Sequence, residues 1–235
     1  MLAMKVIYKK IHFLSLWLIG FQTSGDALAL FGTHIPPRDS ILRFADKLVK
    51  REFGSFFIYP QHNTTVSKIW SSTVHQAMLD EIVEDSLLPM ETRFLACEIL
   101  RANDFFYTRK HSIEKIAKIY ANALIHNYTQ RANSWGLLYN GMDDGPVGYY
   151  FILMREYAVK ELMILLENNS SGPAYEGSIE ATLGNGYNYR IKDFAAYYLG
   201  RIIGKPLKYY QEFQERDAQI IRLKKDLATF DFNKK

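Results

Sequence analysis

Residues 112–128 read SIEKIAKIYANALIHNY, and this stretch decides the fold class. Ile113, Ile116, Ala117, Tyr120, Ala121 and Leu124 recur at spacings of three and four, so one face of a 3.6-residue helix carries them all. Ser112 stands just ahead of the run, where its hydroxyl can accept an orphan backbone N–H and cap the helix. Working outward, the same period recurs through nearly everything after residue 38. Ile41, Ala45, Leu48 and Val49 form an earlier stripe, entered through Pro36-Pro37 and capped by Asp39 or Ser40. Val66, Ile69, Trp70, Val74, Ala77 and Met78 form another. Pro89 occupies a first helical turn ahead of Phe94, Cys97 and Leu100. Downstream, helical spacing runs from Pro146 to Met154, then through Val159, Leu162, Met163 and Leu166. Ile191, Phe194, Ala195, Tyr198 and Ile202 follow, stopped by Gly204 and Pro206, and Ile220, Leu223 and Leu227 close the chain. No run alternates strictly over five residues, which argues against a large sheet. The expected class is all-α.

These segments come in couples: 89–101 with 112–128, 146–154 with 158–166, and 189–203 with 216–228. Couples starting about 45–55 residues apart have the period of helical solenoids, in which neighbouring units share one core because a single unit cannot bury both apolar faces. Residues 156–166, Glu-Tyr-Ala-Val-Lys-Glu-Leu-Met-Ile-Leu-Leu, resemble the second helix of a HEAT-type repeat, with its Ala-Val-x-x-Leu-x-x-Leu-Leu rhythm. Residues 190–199, Arg-Ile-Lys-Asp-Phe-Ala-Ala-Tyr-Tyr-Leu, resemble the first helix of the next unit. Residues 89–100 are a looser match. The resemblance spans about residues 89–228 and implies an α-solenoid-like stack of three to four antiparallel helix pairs. It implies a protein-binding scaffold, of which immunity factors and envelope-assembly factors are two forms; it carries no activity of its own.

Composition bounds the setting. The 235 residues are 48% hydrophobic and 23% charged, the proportions of a globular protein. Lys5, Lys9 and Lys10 precede an apolar core at Ile11–Phe21, and Thr23-Ser-Gly25 follows with small residues. Residues 1–25 therefore read as a signal peptide, and the protein as exported to the periplasm or cell exterior. Kept uncleaved, the same segment would tether the chain to a membrane. Beyond residue 25 there are 26 basic against 25 acidic residues, so charge gives no case for a nucleic-acid partner. Cys97 has no second cysteine to pair with, and stability has to come from the core. Residues 26–88 read as an N-terminal helical segment, and 89–235 as the repeat region.

The HEAT pattern breaks at residues 169–188, where some 20 residues replace a short turn: Asn-Ser-Ser-Gly-Pro-Ala-Tyr-Glu-Gly-Ser-Ile-Glu-Ala-Thr-Leu-Gly-Asn-Gly-Tyr-Asn. Connections of this length without structure are often functional. Tyrosine supplies rigid contact area and Asn, Ser and Gly supply adaptable hydrogen bonds. Tyr175, Glu176, Asn185, Tyr187 and Tyr189, with Trp135 in the break between pairs, are the candidate contacts to a protein partner. The competing expectation is that the insert folds back to cover the end of the stack.

Catalytic candidates are fewer. Glu176 and Glu180, or Asp143 and Asp144, offer carboxylate pairs of the type a periplasmic or secreted hydrolase of glycan or peptide would use. Gly184-Asn-Gly186 lacks the following Lys-Ser/Thr and preceding strand of a phosphate cradle. Asn140–Gly145 fails the EF-hand pattern at its third and twelfth positions, Met142 and Phe151, leaving Asp144 as a helix cap. His34, His62, His75, His111 and His126 have no ligand spacing. No metal and no cofactor is expected. Arg190 with Asp193 reads as a structural pair bridging neighbouring units, and Cys97 as a buried structural thiol.

Overall fold

In a computed structural model, the structure describes residues 36–50, 56–57, 63–104 and 107–232. The leader expected at residues 1–25 lies outside them. Eleven α-helices order the described residues: α1 (Arg38–Val49), α2 (Thr64–Trp70), α3 (Thr73–Glu84), α4 (Met90–Asn103), α5 (Tyr107–Lys110), α6 (Ile113–Ile125), α7 (Tyr149–Met154), α8 (Glu156–Leu165), α9 (Ser178–Gly184), α10 (Ile191–Ile202) and α11 (Phe213–Thr229). Among them there are no strands, only two isolated bridges. The chain is mostly helical and of the all-α class.

Local chemistry explains where these helices begin. The Ser112 hydroxyl accepts from the Lys115 N–H and caps α6, and Asn63 and Ser72 cap α2 and α3 in the same way. Pro89 lies at the N-cap of α4. Pro37, rather than Asp39 or Ser40, stands at the N-cap of α1. The segment 146–154 departs further from expectation, because α7 starts only at Tyr149. The Val147 and Gly148 N–H groups both donate to the Ser134 carbonyl, at 2.9 and 3.2 Å, which ties this stretch to the 3₁₀ turn Ala132–Trp135. Gly145 (φ 68°) permits that close approach: a Cβ there would sit 2.3 Å from the Gly136 nitrogen.

Consecutive packing runs α3 on α4, α4 on α6, α6 on α8, α8 on α10 and α10 on α11, with α1 and α2 also against α4. Helices buried on every side are mostly apolar on every side, and their few charged members, here Arg93, Glu98 and Asp193, are hydrogen-bonded. Residues Thr92–Leu100 of α4 are all buried, as are ten of the twelve residues of α10. An aromatic line threads the interior from Phe57 through Phe94, Trp135 and Phe151 to Tyr198, with ring centroids 4.9–6.3 Å apart. Phe56 and Phe57, the described part of the aromatic run at 53–59, are both buried. Trp135 is fully buried in this line, so it fills the core instead of serving as a surface anchor.

Candidate functional site

The insert is ordered, and its tyrosines point inward. Its base is closed by backbone bonds from Gly172 N–H to the Tyr189 carbonyl (2.8 Å) and from Ile191 N–H to the Ser170 carbonyl (2.9 Å). Midway, Ala132 N–H donates to the Ala174 carbonyl at 2.7 Å. Two asparagine amides then grip the backbone of consecutive residues, each in both directions. Asn185 accepts from Tyr175 N–H (2.7 Å) and donates to its carbonyl (3.1 Å). Asn133 does the same for Glu176, at 2.9 and 3.1 Å. Polar backbone in the loop is thereby satisfied without a sheet or helix.

Tyr175 is the anchor of this arrangement. Its hydroxyl donates to the Gly136 carbonyl (3.0 Å) and accepts from Leu138 N–H (3.2 Å), and burial pushes its phenol well above the usual range. Tyr139, Tyr175, Tyr187 and Tyr189 pack as a ring cluster with centroids 5.2–6.4 Å apart. Gly184 completes the fit, since a Cβ there would meet the Tyr175 ring at 2.3 Å. Tyr175 and Tyr189 are therefore buried, Asn185 and Tyr187 are half-buried, and Glu176 alone of the six expected contact residues is exposed. Tyr175, Tyr189 and Trp135 are consequently not surface contacts in this structure: each spends its ring on packing.

What the insert does expose is α9. This helix carries Ile179 and Leu183, four apart and so on one face, with 63% and 51% of their surface in solvent. Periodicity across a seven-residue helix is too short to mark it in the sequence, and nothing local singles out these two residues.

The expected carboxylates go elsewhere. Asp144 does not cap a helix; it is buried, accepting from the Tyr197 hydroxyl and from Arg201 Nη2 at 2.9 Å. Asp143 accepts from Gly145 N–H within its own turn. Glu176 pairs loosely with Arg131 at 3.7 Å. None of the three cavities described below is lined by Glu176, Glu180, Asp143 or Asp144. No group of His, Cys, Asp or Glu among the described residues has the geometry of a metal site.

Of those cavities, the largest is a cleft of about 410 Å³ where α4, α5, α6 and α7 meet. Arg101, Asp104, Tyr107, Tyr149, Tyr150 and Leu153 line most of it. Its floor is rigid. Glu98, fully buried, receives Nε and Nη2 of Arg101 at 2.9 and 2.7 Å and the Tyr120 hydroxyl. That fork leaves Arg101 Nη1 without a bond to any described residue. The buried Tyr107 hydroxyl has no well-formed hydrogen bond either, although the Tyr150 phenol is close enough to perturb it. Burial lifts the Tyr150 phenol to about 12, partly offset by Tyr107 and Arg101. A smaller hollow of about 190 Å³ lies within the insert, between residues 171–175 and 184–189. A third, of about 20 Å³, lies between α10, α11 and the 207–209 segment.

A separate charged cluster was invisible in the sequence. His111 lies buried at the start of α6 with Nδ1 2.7 Å from Glu84 and Nε2 3.0 Å from Asp80, both on α3. Burial alone would lower its pKa, but the two carboxylates outweigh that and raise it.

Comparison with protein-family models, with curated proteins and with solved structures found no match to this chain.

Proposed function

We propose that the chain is an exported binding scaffold of HEAT-like, solenoid-type build, which grips a protein partner through α9 of its insert. One observation carries this reading: an apolar pair, Ile179 and Leu183, is displayed in solvent on a short helix whose foundations are pinned by Tyr175, Asn133 and Asn185. Ordering a loop in advance removes part of the entropic cost of association. An aliphatic pair held out on an ordered base can bury in a pocket of a partner as an anchor. Immunity and envelope-assembly roles both need such a surface. The insert thus joins both expectations, its tyrosines covering the molecule and its helix facing outward. None of the three described cavities gathers the carboxylates proposed for a hydrolase, so catalysis has no comparable support.

The test is retention of a partner from native envelope extract by the full chain and by an Ile179→Asp/Leu183→Asp variant. The proposal expects the variant to retain none while melting at the wild-type temperature; undiminished retention would remove α9 from the interface. A second reading rests on the cleft, whose Arg101 Nη1 and Tyr107 hydroxyl would donate to an oxygen of a small ring compound stacked against Tyr150. Its volume falls in the usual range for such sites. Line shifts of Tyr149 and Tyr150 in NMR on adding phenol-sized amides would support it, and their absence would discard it.

A further inference from the structure

Where α10 and α11 meet the end of the insert, three cations and two anions crowd together. Arg190 donates to Asp193 from Nε and Nη2 (3.1 and 3.0 Å) and to Asp217 from Nη1 and Nη2 (3.2 and 2.7 Å). Lys192 also reaches Asp217, at 2.8 Å. Asp193 further accepts the Arg190 backbone N–H at 2.9 Å. Both carboxylates are therefore committed to Arg190 and Lys192. The fifth charge, Arg216, is only 5% exposed and is left with a long 3.3 Å approach to Asp193 and one bond, from Nη2 to the Tyr187 carbonyl at 2.9 Å.

Two of its nitrogens, Nε and Nη1, have no hydrogen-bond partner, and neither do the buried hydroxyls of Tyr189 and Tyr209. All three side chains line the same small cavity. Other polar groups on that wall are engaged: Gln219 exchanges two 2.8 Å bonds with the Lys208 backbone. Asp193 also lines the hollow but is held by Arg190, and the Arg216 guanidinium lies over the Tyr189 and Phe213 rings. The hollow still offers N–H and O–H groups without hydrogen-bond partners beside one positive charge in excess of the nearby carboxylates. Leaving a guanidinium buried in that condition is costly. Desolvation, only partly returned by Asp193, accordingly lowers the Arg216 pKa. The volume of about 20 Å³ admits a single sphere of about water size.

From this geometry we infer that the cavity is a binding site for a monatomic anion, chloride in nature, held by the Arg216 N–H groups that lack a hydrogen bond and by the hydroxyls of Tyr189 and Tyr209. A water molecule could satisfy the two hydroxyls, which accept as well as donate, but it would leave the charge unbalanced. Chloride accepts from every donor and neutralises the cluster. Because Tyr187, Tyr189 and Arg216 join the insert to α11, occupancy also fastens the insert's return strand of chain. This inference does not depend on the partner-binding proposal.

The experiment compares thermal melting of the full chain in sodium chloride, sodium bromide and sodium gluconate at equal ionic strength. Chloride and bromide are expected to raise the midpoint above that in gluconate by about 2–4 °C. Tyr209→Phe keeps the half-buried ring and removes one donor, and should shrink that gap at least twofold. Crystals grown in bromide should show an anomalous peak between Arg216 and Tyr209. Equal midpoints in all three salts, a gap unchanged in Tyr209→Phe, or water without an anomalous signal in the cavity would each overturn the inference.

Discussion

Glu98 on α4 and Arg216 on α11 are both buried charges, and they are treated in opposite ways. Glu98 receives a two-pronged guanidinium and a phenol, so both oxygens are occupied. Arg216 has one carbonyl, a 3.3 Å approach to a carboxylate already held by Arg190 and two ring faces, with Nε and Nη1 lacking hydrogen bonds. The first arrangement is closed and stiffens the floor of the cleft; the second is open and invites something from outside. A buried charge with a complete set of partners is architecture, whereas one with an incomplete set is a place to look for a ligand.

The sharpest way to break this contrast is to remove each charge. Glu98→Ala strands Arg101 and the Tyr120 hydroxyl and is expected to cost about 3–5 kcal/mol in denaturant unfolding. Arg216→Met in a gluconate buffer removes an under-partnered charge while Asp193 keeps Arg190, and should cost about 1 kcal/mol or less. Equal losses would erase the distinction.

Next in size is Tyr175→Phe, which leaves a buried carbonyl at Gly136 and the Leu138 N–H unpaired and should cost about 1–3 kcal/mol. If it instead proves neutral, the insert does not depend on that anchor.

The His111 clasp supplies a pH-dependent counterpart to both. Its pKa is raised on folding, so the stabilisation it provides is complete below its unfolded value near 6.5 and is lost as pH rises through the folded value. Stability plotted against pH should fall on the alkaline side of about 6.5, and His111→Gln should flatten that limb. Glu84 runs the other way. Burial opposes its ionisation, yet Lys115 and His111 lower its pKa, so its share fades only as pH falls below the usual carboxylate range. Smallest of all, Ile179→Asp/Leu183→Asp should alter stability by no more than about 0.5 kcal/mol, because both side chains already face water.

Helix positions were legible wherever an amphipathic stripe met a capping residue, as at Ser112 with Ile116 and Tyr120. The couples 89–101 with 112–128 and 189–203 with 216–228 do pack together. Legibility failed where tertiary bonds override local pattern. Pro146–Gly148 look helical, but the Ser134 carbonyl claims the Val147 and Gly148 N–H groups. Tyr175 and Tyr189 look like a binding surface, but burying a phenol costs little when a carbonyl waits 39 residues away at Gly136. One local sign existed: Gly184 is the small residue against which a large ring can close. For His111 with Asp80 and Glu84, or Arg216 with Tyr189 and Tyr209, no local spacing could have found them, since each set assembles only when distant helices dock.

Hydrogen exchange of the insert tests the central claim most directly, because a display platform has to be rigid before any partner arrives. The amides of Ala132, Leu138, Tyr175 and Glu176, each bonded across the insert's seam, should exchange as slowly as those of α10. Exchange at the rate of an unstructured peptide would contradict it.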